Sequence, residues 1–184
     1  TGNPEIGLSD AIARFPFQLD PSFLWTAEQW AKKRAQKDRI AAVPEMTPDK
    51  AMAIFLYTCE PPLYQKLNEA LRSEDRQLLK THYFPFLRLL VGALALLKKT
   101  QGSEKRMVNR GVRLDLVGQH PDDYAPDETI VWWQFTSTTS DISVLSSPQF
   151  LGPTGDRTIF QIMTSLGVDV KDFSAVRGEG ELLL

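Results

Sequence analysis

The chain has 184 residues, 42% of them hydrophobic and 24% charged, with a net charge of −2. That length suits one domain with one good core, and so small a charge supplies no global field to draw nucleic acid. The single cysteine, Cys59, excludes an internal disulfide framework and a multi-cysteine zinc site.

The first twenty residues mix polar and apolar types around Pro4 and Pro16 and predict an irregular lead-in. Thr26 and Gln29 have capping-box spacing, which predicts a helix from Thr26 through Trp30 to about Ile40. Its outer face carries Lys32, Lys33, Arg34 and Lys37, a pattern more often solvated than bound to a partner. Thr47-Pro48 is a strong helix start, with a hydroxyl cap followed by proline at the first helical position. Met52, Phe55 and Leu56 continue that helix on one face, and Pro61-Pro62 ends it and opens the next. Leu63, Leu67, Ala70 and Leu71 then share a stripe. A further helix from about Tyr83 to Lys99 is apolar nearly all round and therefore buried. Its longest apolar run, Leu89 to Leu97, is well short of the roughly 20 residues of a membrane span.

The character changes after Gln101-Gly102. Runs rich in β-branched and aromatic residues predict strands at Met107–Leu116, Thr129–Thr136, Thr158–Met163 and Gly180–Leu184. Turn signals separate them at His120-Pro121-Asp122-Asp123 and Gly152-Pro153-Thr154-Gly155. Helices first and strands later imply an α+β fold. The chain reads as a single domain over 1–184, with a mainly helical lobe over 1–100 and a mainly β core over 101–184.

His82 and His120 are the only histidines, and neither stands at metal-ligand spacing. Neither a GxGxxG loop nor a P-loop is present. Three short segments hold the chemistry-bearing residues. In Val108-Asn109-Arg110-Gly111-Val112 an arginine inside a strand is followed by glycine. The plain alternative is a surface arginine beside a bulge. In Phe135-Thr136-Ser137-Thr138-Thr139-Ser140 a hydroxyl run ends a strand, as an edge strand leading into a helix cap would. In Gly178-Glu179-Gly180-Glu181 two carboxylates stand two residues apart and would project side by side if the strand begins there. Like charges so placed repel, and a stable fold avoids the arrangement unless a cation or a reaction requires it.

That ordered set resembles the arginine–serine–glutamate group of mono-ADP-ribosyltransferases, and more narrowly the arginine-specific branch that includes the vertebrate cell-surface enzymes. The likeness extends through Ala53-Ile54-Phe55-Leu56-Tyr57-Thr58, Pro62-Leu63-Tyr64 and Leu67-Asn68-Glu69-Ala70-Leu71-Arg72. It continues through Thr164-Ser165-Leu166-Gly167 and Val170-Lys171-Asp172-Phe173-Ser174, spanning roughly Met46 to Leu184. The resemblance implies a helical region followed by a β-sandwich-like core of two packed sheets.

It also implies NAD as co-substrate, no metal, and a protein acceptor with an exposed arginine. Neither nucleic acid nor a membrane span is expected, and the protein is expected to be soluble, cytoplasmic or a secreted effector or toxin. Glu181, Glu179, Ser137 and Arg110 would be catalytic. Arg110, Gly111, Ser137, Thr138, Phe150 and Glu181 would bind NAD. Arg110 would clamp the ribose and phosphates, Gly111 would let the backbone approach the nicotinamide amide, and Phe150 would cover the nicotinamide. Ser137 would hold Glu181, the donor-side carboxylate, while Glu179 would serve the acceptor. Departures are Asn109, where an aromatic is common, Thr139, where serine is usual, and the loop Ala175-Val176-Arg177, where aromatics and proline are frequent. Three alternatives stand beside arginine transfer: an NAD glycohydrolase using the same site with water, a pseudoenzyme acting as a binding module, and a scaffold built on the basic helix.

Overall fold

The computed structural model describes residues 6–59, 62–147, 151–176 and 181–184. The first element among the described residues is a short helix, α1 (Leu8–Ile12), inside the segment expected to be irregular. Helix α2 (Pro21–Lys32) starts five residues before Thr26, because a stronger signal precedes it. The Asp20 carboxylate accepts from the Ser22 amide at 2.8 Å, and Pro21 occupies the first turn. Lys33 is extended, with ψ 138°, which breaks the helical ladder, and α3 (Arg34–Ala42) follows. One predicted helix is therefore two.

Helix α4 (Pro48–Thr58) begins where Thr47-Pro48 predicts, with Thr47 Oγ1 accepting from the Lys50 amide at 3.3 Å. Ala51 to Tyr57 are all buried, so α4 is the central helix of the lobe. Helix α5 (Leu63–Arg72) buries Leu63, Leu67 and Ala70 on one side. A short α6 (Arg76–Leu78) runs into a π-helical turn, Leu79–Tyr83, and then α7 (Phe84–Gln101). Pro85 explains the widened turn: it has no N–H for the carbonyl four residues back, and its ring crowds that carbonyl. Among the described residues no helix is long and apolar enough to cross a membrane.

Strand β1 (Arg106–Val112) pairs antiparallel along its whole length with β3 (Thr158–Thr164), from Arg106 opposite Thr164 to Val112 opposite Thr158. The strand predicted to reach Leu116 stops at Val112, because Asp115 caps a short helix, α8 (Leu116–Gln119), through the Gly118 amide at 2.8 Å. The strand predicted over Thr129–Thr136 lies further on. Ile130, Val131 and Trp133 are exposed and outside any ladder, whereas β2 spans Ser137–Thr139. Pairing begins at Thr136, whose amide and carbonyl exchange bonds with Leu184 at 3.1 and 3.0 Å. A two-residue strand, β4 (Val168–Asp169), was not anticipated; β5 is Glu181–Leu183. The Gln101 side chain covers the free edge of β4. Its Nε2 donates to the Asp169 carbonyl at 2.7 Å, and its Oε1 accepts from the Asp169 amide at 2.8 Å.

The sheet order is β3-β1-β2-β5-β4, antiparallel throughout. The α+β class holds. The strands among the described residues join one five-stranded sheet rather than two packed ones, because β2 pairs with both β1 and β5 and bridges what would otherwise be separate sheets. The main core gathers the helices with Val168, Val170, Phe173 and Leu183 from the β4–β5 end. Leu183 therefore faces the helices. By the two-residue period of a strand, Glu181 faces the same way, into the seam between sheet and helical lobe.

Candidate active site

A cleft of about 430 Å³ lies in that seam, within the roughly 300–1,000 Å³ typical of small-molecule sites. Five parts of the fold contribute to it. Helix α4 supplies Tyr57 and Thr58 from its last turn. Helix α5 supplies Tyr64, Gln65, Asn68 and Arg72; Tyr64, Asn68 and Arg72 recur every four residues, so one polar face looks into the cleft while Leu63, Leu67 and Ala70 enter the core. Strand β1 supplies Arg110. Gln134, Phe135 and Ser137 come from the approach to β2 and from β2 itself, and Val176 and Glu181 from the C-terminal segment.

Arg110, Ser137 and Glu181 belong to three different strands and meet here. Ser137 lies opposite Leu183 and Thr139 opposite Glu181, so Ser137 and Glu181 are diagonal neighbours on one face. The Ser137 hydroxyl donates a short hydrogen bond to Glu181 Oε1, closing a gap of 44 residues in the chain. Arg110 Nη1 donates to the Ser137 carbonyl at 3.4 Å, and its guanidinium lies over the Trp132 ring, 5.5 Å from the centroid. Partial burial draws the Arg110 pKa down, and the adjacent Tyr57 acts against that; a guanidinium nonetheless keeps its charge.

Tyr57 is buried at the base of the cleft. Its ring packs edge-on against Phe135 at 5.3 Å, and its hydroxyl accepts from Asn68 Nδ2 at 3.1 Å. Burial raises the Tyr57 pKa most; the Asn68 hydrogen bond lowers it, nearby Glu181 raises it and Arg110 lowers it. A neutral phenol therefore lies near enough to the Glu181 carboxylate and the Arg110 guanidinium to feel both charges. Thr58 Oγ1 accepts from the Ala175 amide at 2.9 Å, which ties α4 to the segment leading towards Glu181.

Two of the expected NAD-binding residues do not reach the cleft. Thr138 points to the opposite face of β2 from Ser137, where it is buried and its hydroxyl donates to the Leu182 carbonyl at 2.9 Å. Gly111 continues the regular ladder opposite Ile159, without the bulge considered above. A Cβ there would lie 2.5 Å from Leu151 Cγ, so the missing side chain admits Leu151 rather than opening the cleft. The two departures Asn109 and Thr139 are cross-strand partners, and Asn109 Nδ2 donates to the Thr139 carbonyl at 3.4 Å. Glu179 and Phe150 lie outside the described residues.

Sequence reasoning gave no role to Tyr57, Asn68, Arg72, Trp132 or Gln134. The four-residue spacing of Tyr64, Asn68 and Arg72 was a readable signal; the placement of Trp132 and Gln134 beside arginines was not. Among the described residues no group of three or more histidine, cysteine, aspartate or glutamate side chains could hold a metal ion.

The family model described as NAD:arginine ADP-ribosyltransferase matches residues 16–184. The chain is 31% identical over 164 residues to the erythroblast NAD(P)(+)–arginine ADP-ribosyltransferase of Gallus gallus, covering 85% of this chain and 49% of that one. The chain spans about half the length of the curated relatives it matches. Among solved structures, a variant of the eukaryotic mono-ADP-ribosyltransferase ART2.2 in complex with NAD aligns with a TM-score of 0.66 at 25% identity, over 96% of this chain and 72% of that one. The ADP-ribosyltransferase HopU1 of Pseudomonas syringae shares the fold, with a TM-score of 0.71 at 21% identity, over 96% and 84%.

Proposed function

We propose that this chain, which belongs to the NAD:arginine ADP-ribosyltransferase family, cleaves NAD, releases nicotinamide and transfers ADP-ribose to an arginine of a protein acceptor. One observation carries the reading. Arg110, Ser137 and Glu181, from three separated motifs, converge in one cleft, and the Ser137 hydroxyl holds the Glu181 carboxylate.

The chemistry suits those groups. Breaking the bond between nicotinamide and ribose leaves the electron pair on nicotinamide and develops positive charge on the sugar. A fixed carboxylate stabilises that charge more in the transition state than in the ground state, as carboxylates do in glycosidases. Glu181 is that carboxylate, and the Ser137 hydrogen bond limits its rotation. Arg110 offers a planar, permanently charged fork to the phosphates or ribose of the donor. An arginine acceptor is protonated at neutral pH and a poor nucleophile. Its nitrogen forms the new bond to the ribose carbon and loses a proton, a step that a second carboxylate assists. Glu179 is assigned that task by its place two residues before Glu181.

The test is incubation with labelled NAD, with and without a small guanidine acceptor. Glu181→Gln is expected to reduce both transfer and hydrolysis by at least about 100-fold. Glu179→Gln is expected to lose arginine transfer while keeping part of the hydrolysis. Full transfer by the Glu181 variant would remove the assignment. Nicotinamide release that does not respond to the acceptor would make the chain a glycohydrolase.

A further inference from the structure

Three consecutive residues, Trp132, Trp133 and Gln134, each hold a different arginine. Trp132 lies under the Arg110 guanidinium, 5.5 Å from its centroid. Trp133 lies under Arg76, at 5.4 Å. Gln134 Oε1 accepts from Arg72 Nη1. Arg110 and Arg72 line the cleft, whereas Arg76 is exposed beyond it. This segment belongs to no strand. Side-chain contacts hold it against the cleft, at its far end through Phe135 on Tyr57.

Trp132 is the best supported of the three. Its indole meets Phe160 edge-on at 5.2 Å and 78°, and Phe160 in turn meets Tyr124 at 5.8 Å. Phe160 is the cross-strand partner of Arg110. The guanidinium is thus directed by an aromatic shelf rooted in the neighbouring strand, with the Ser137 carbonyl as its hydrogen-bond acceptor. An arginine left to itself samples many rotamers, and fixing one on ligand binding costs affinity. An aromatic face attracts a guanidinium and fixes it beforehand.

We propose that Trp132 is a positioning residue for the dinucleotide donor, acting through Arg110 by holding its guanidinium towards the cleft. The assignment rests on the reading of this cleft as an NAD site.

Calorimetric titration of NAD into single and double variants tests it. Trp132→Ala is expected to weaken NAD affinity about tenfold, and Trp132→Phe, which keeps an aromatic face, to recover most of that loss. Trp133→Ala, whose arginine lies outside the cleft, is expected to bind NAD like the parent. In an Arg110→Ala background, adding Trp132→Ala is expected to change affinity by less than about twofold, because the residue through which Trp132 acts is gone. A normal affinity in Trp132→Ala overturns the proposal. So does an equal tenfold loss in the Arg110→Ala background, which would mark Trp132 as merely structural. The ring-current displacement of the Arg110 Nε–H resonance, lost in Trp132→Ala, reads the pair without NAD. A parent protein that shows this displacement yet binds no NAD would overturn the donor role together with the proposed function, while leaving the contact itself established.

Discussion

Ser137 and Glu181 show how much one side-chain contact can contribute at the residue scale. A hydrogen bond to a carboxylate is worth roughly 1.5–3 kcal/mol, so its loss is large in rate terms even if the fold is untouched. Ser137→Ala is expected to lower kcat/KM for nicotinamide release about tenfold to hundredfold, with Ser137→Thr retaining more because the hydroxyl survives. Steady-state kinetics on the two variants checks this, and equal losses would show that the hydroxyl does not orient Glu181. Gly111 makes a different point. Its value lies in the space taken by Leu151, whose Cγ would stand 2.5 Å from an added Cβ. Gly111→Ala is expected to cost about 1–3 kcal/mol through overpacking. Leu151→Ala in the same chain should relieve part of that cost, so urea denaturation of the double variant should show less destabilisation than the sum of the singles.

At the scale of elements, the cleft depends on how helices and strands are tied at their ends. Thr47 caps α4 and Asp20 caps α2, and each is a local device that the sequence displays. The edge of β4 is closed by a side chain from another element. Gln101, the last residue of α7, supplies both a donor and an acceptor to Asp169, 68 residues away. Gln101→Leu keeps the bulk but removes both partners. It is expected to cost about 1–3 kcal/mol and to speed hydrogen exchange at the Asp169 amide. Unchanged exchange there would show that β4 holds its place without the clamp. Because β4 pairs with β5, which carries Glu181, loosening that edge is also expected to lower activity.

For the whole molecule, the buried tyrosines set the response to alkali. The ordinary tyrosine value is 10.0, and burial raises both Tyr57 and Tyr83 above it. In the unfolded chain these phenols ionise near pH 10, while in the folded protein burial keeps them neutral to higher pH. Their contribution is therefore complete below about pH 10 and is lost as pH rises beyond it. Tyr57→Phe removes one such group. Between pH 10 and 12 its stability is expected to fall less steeply than the parent's, by up to about 1.4 kcal/mol per pH unit, as measured by urea midpoints. Identical slopes would show that Tyr57 is not held neutral by the fold. Asp20 and Asp141 act at the other extreme. Hydrogen bonds from Ser22 and Ser143 hold their carboxylates below 3.8, so their contributions are present above that value and are lost as pH falls.

By itself the sequence determined the class of fold, the helix starting at Thr47-Pro48, the existence of α7 (although Phe84 and Val91 on it are exposed, so it is not buried all round), the β1 and β3 strands, and the three short segments that carry Arg110, Ser137 and Glu181. All of these depend on neighbours within a few residues: a cap, a proline, an apolar period, a short motif. Tertiary structure decided what depends on partners far along the chain. It extended one ladder to Thr136 and Leu184 while leaving Ile130 to Trp133 without one, since strand formation needs a paired backbone as well as β-branched residues. It turned Thr138 away from the cleft, because alternate residues of a strand face opposite sides. It also brought Tyr57, Asn68 and Arg72 to the same cleft as Arg110, Ser137 and Glu181, and Trp132 under the Arg110 guanidinium. Their side-chain types permit those contacts, but only the packing of α4 and α5 against the sheet makes them neighbours.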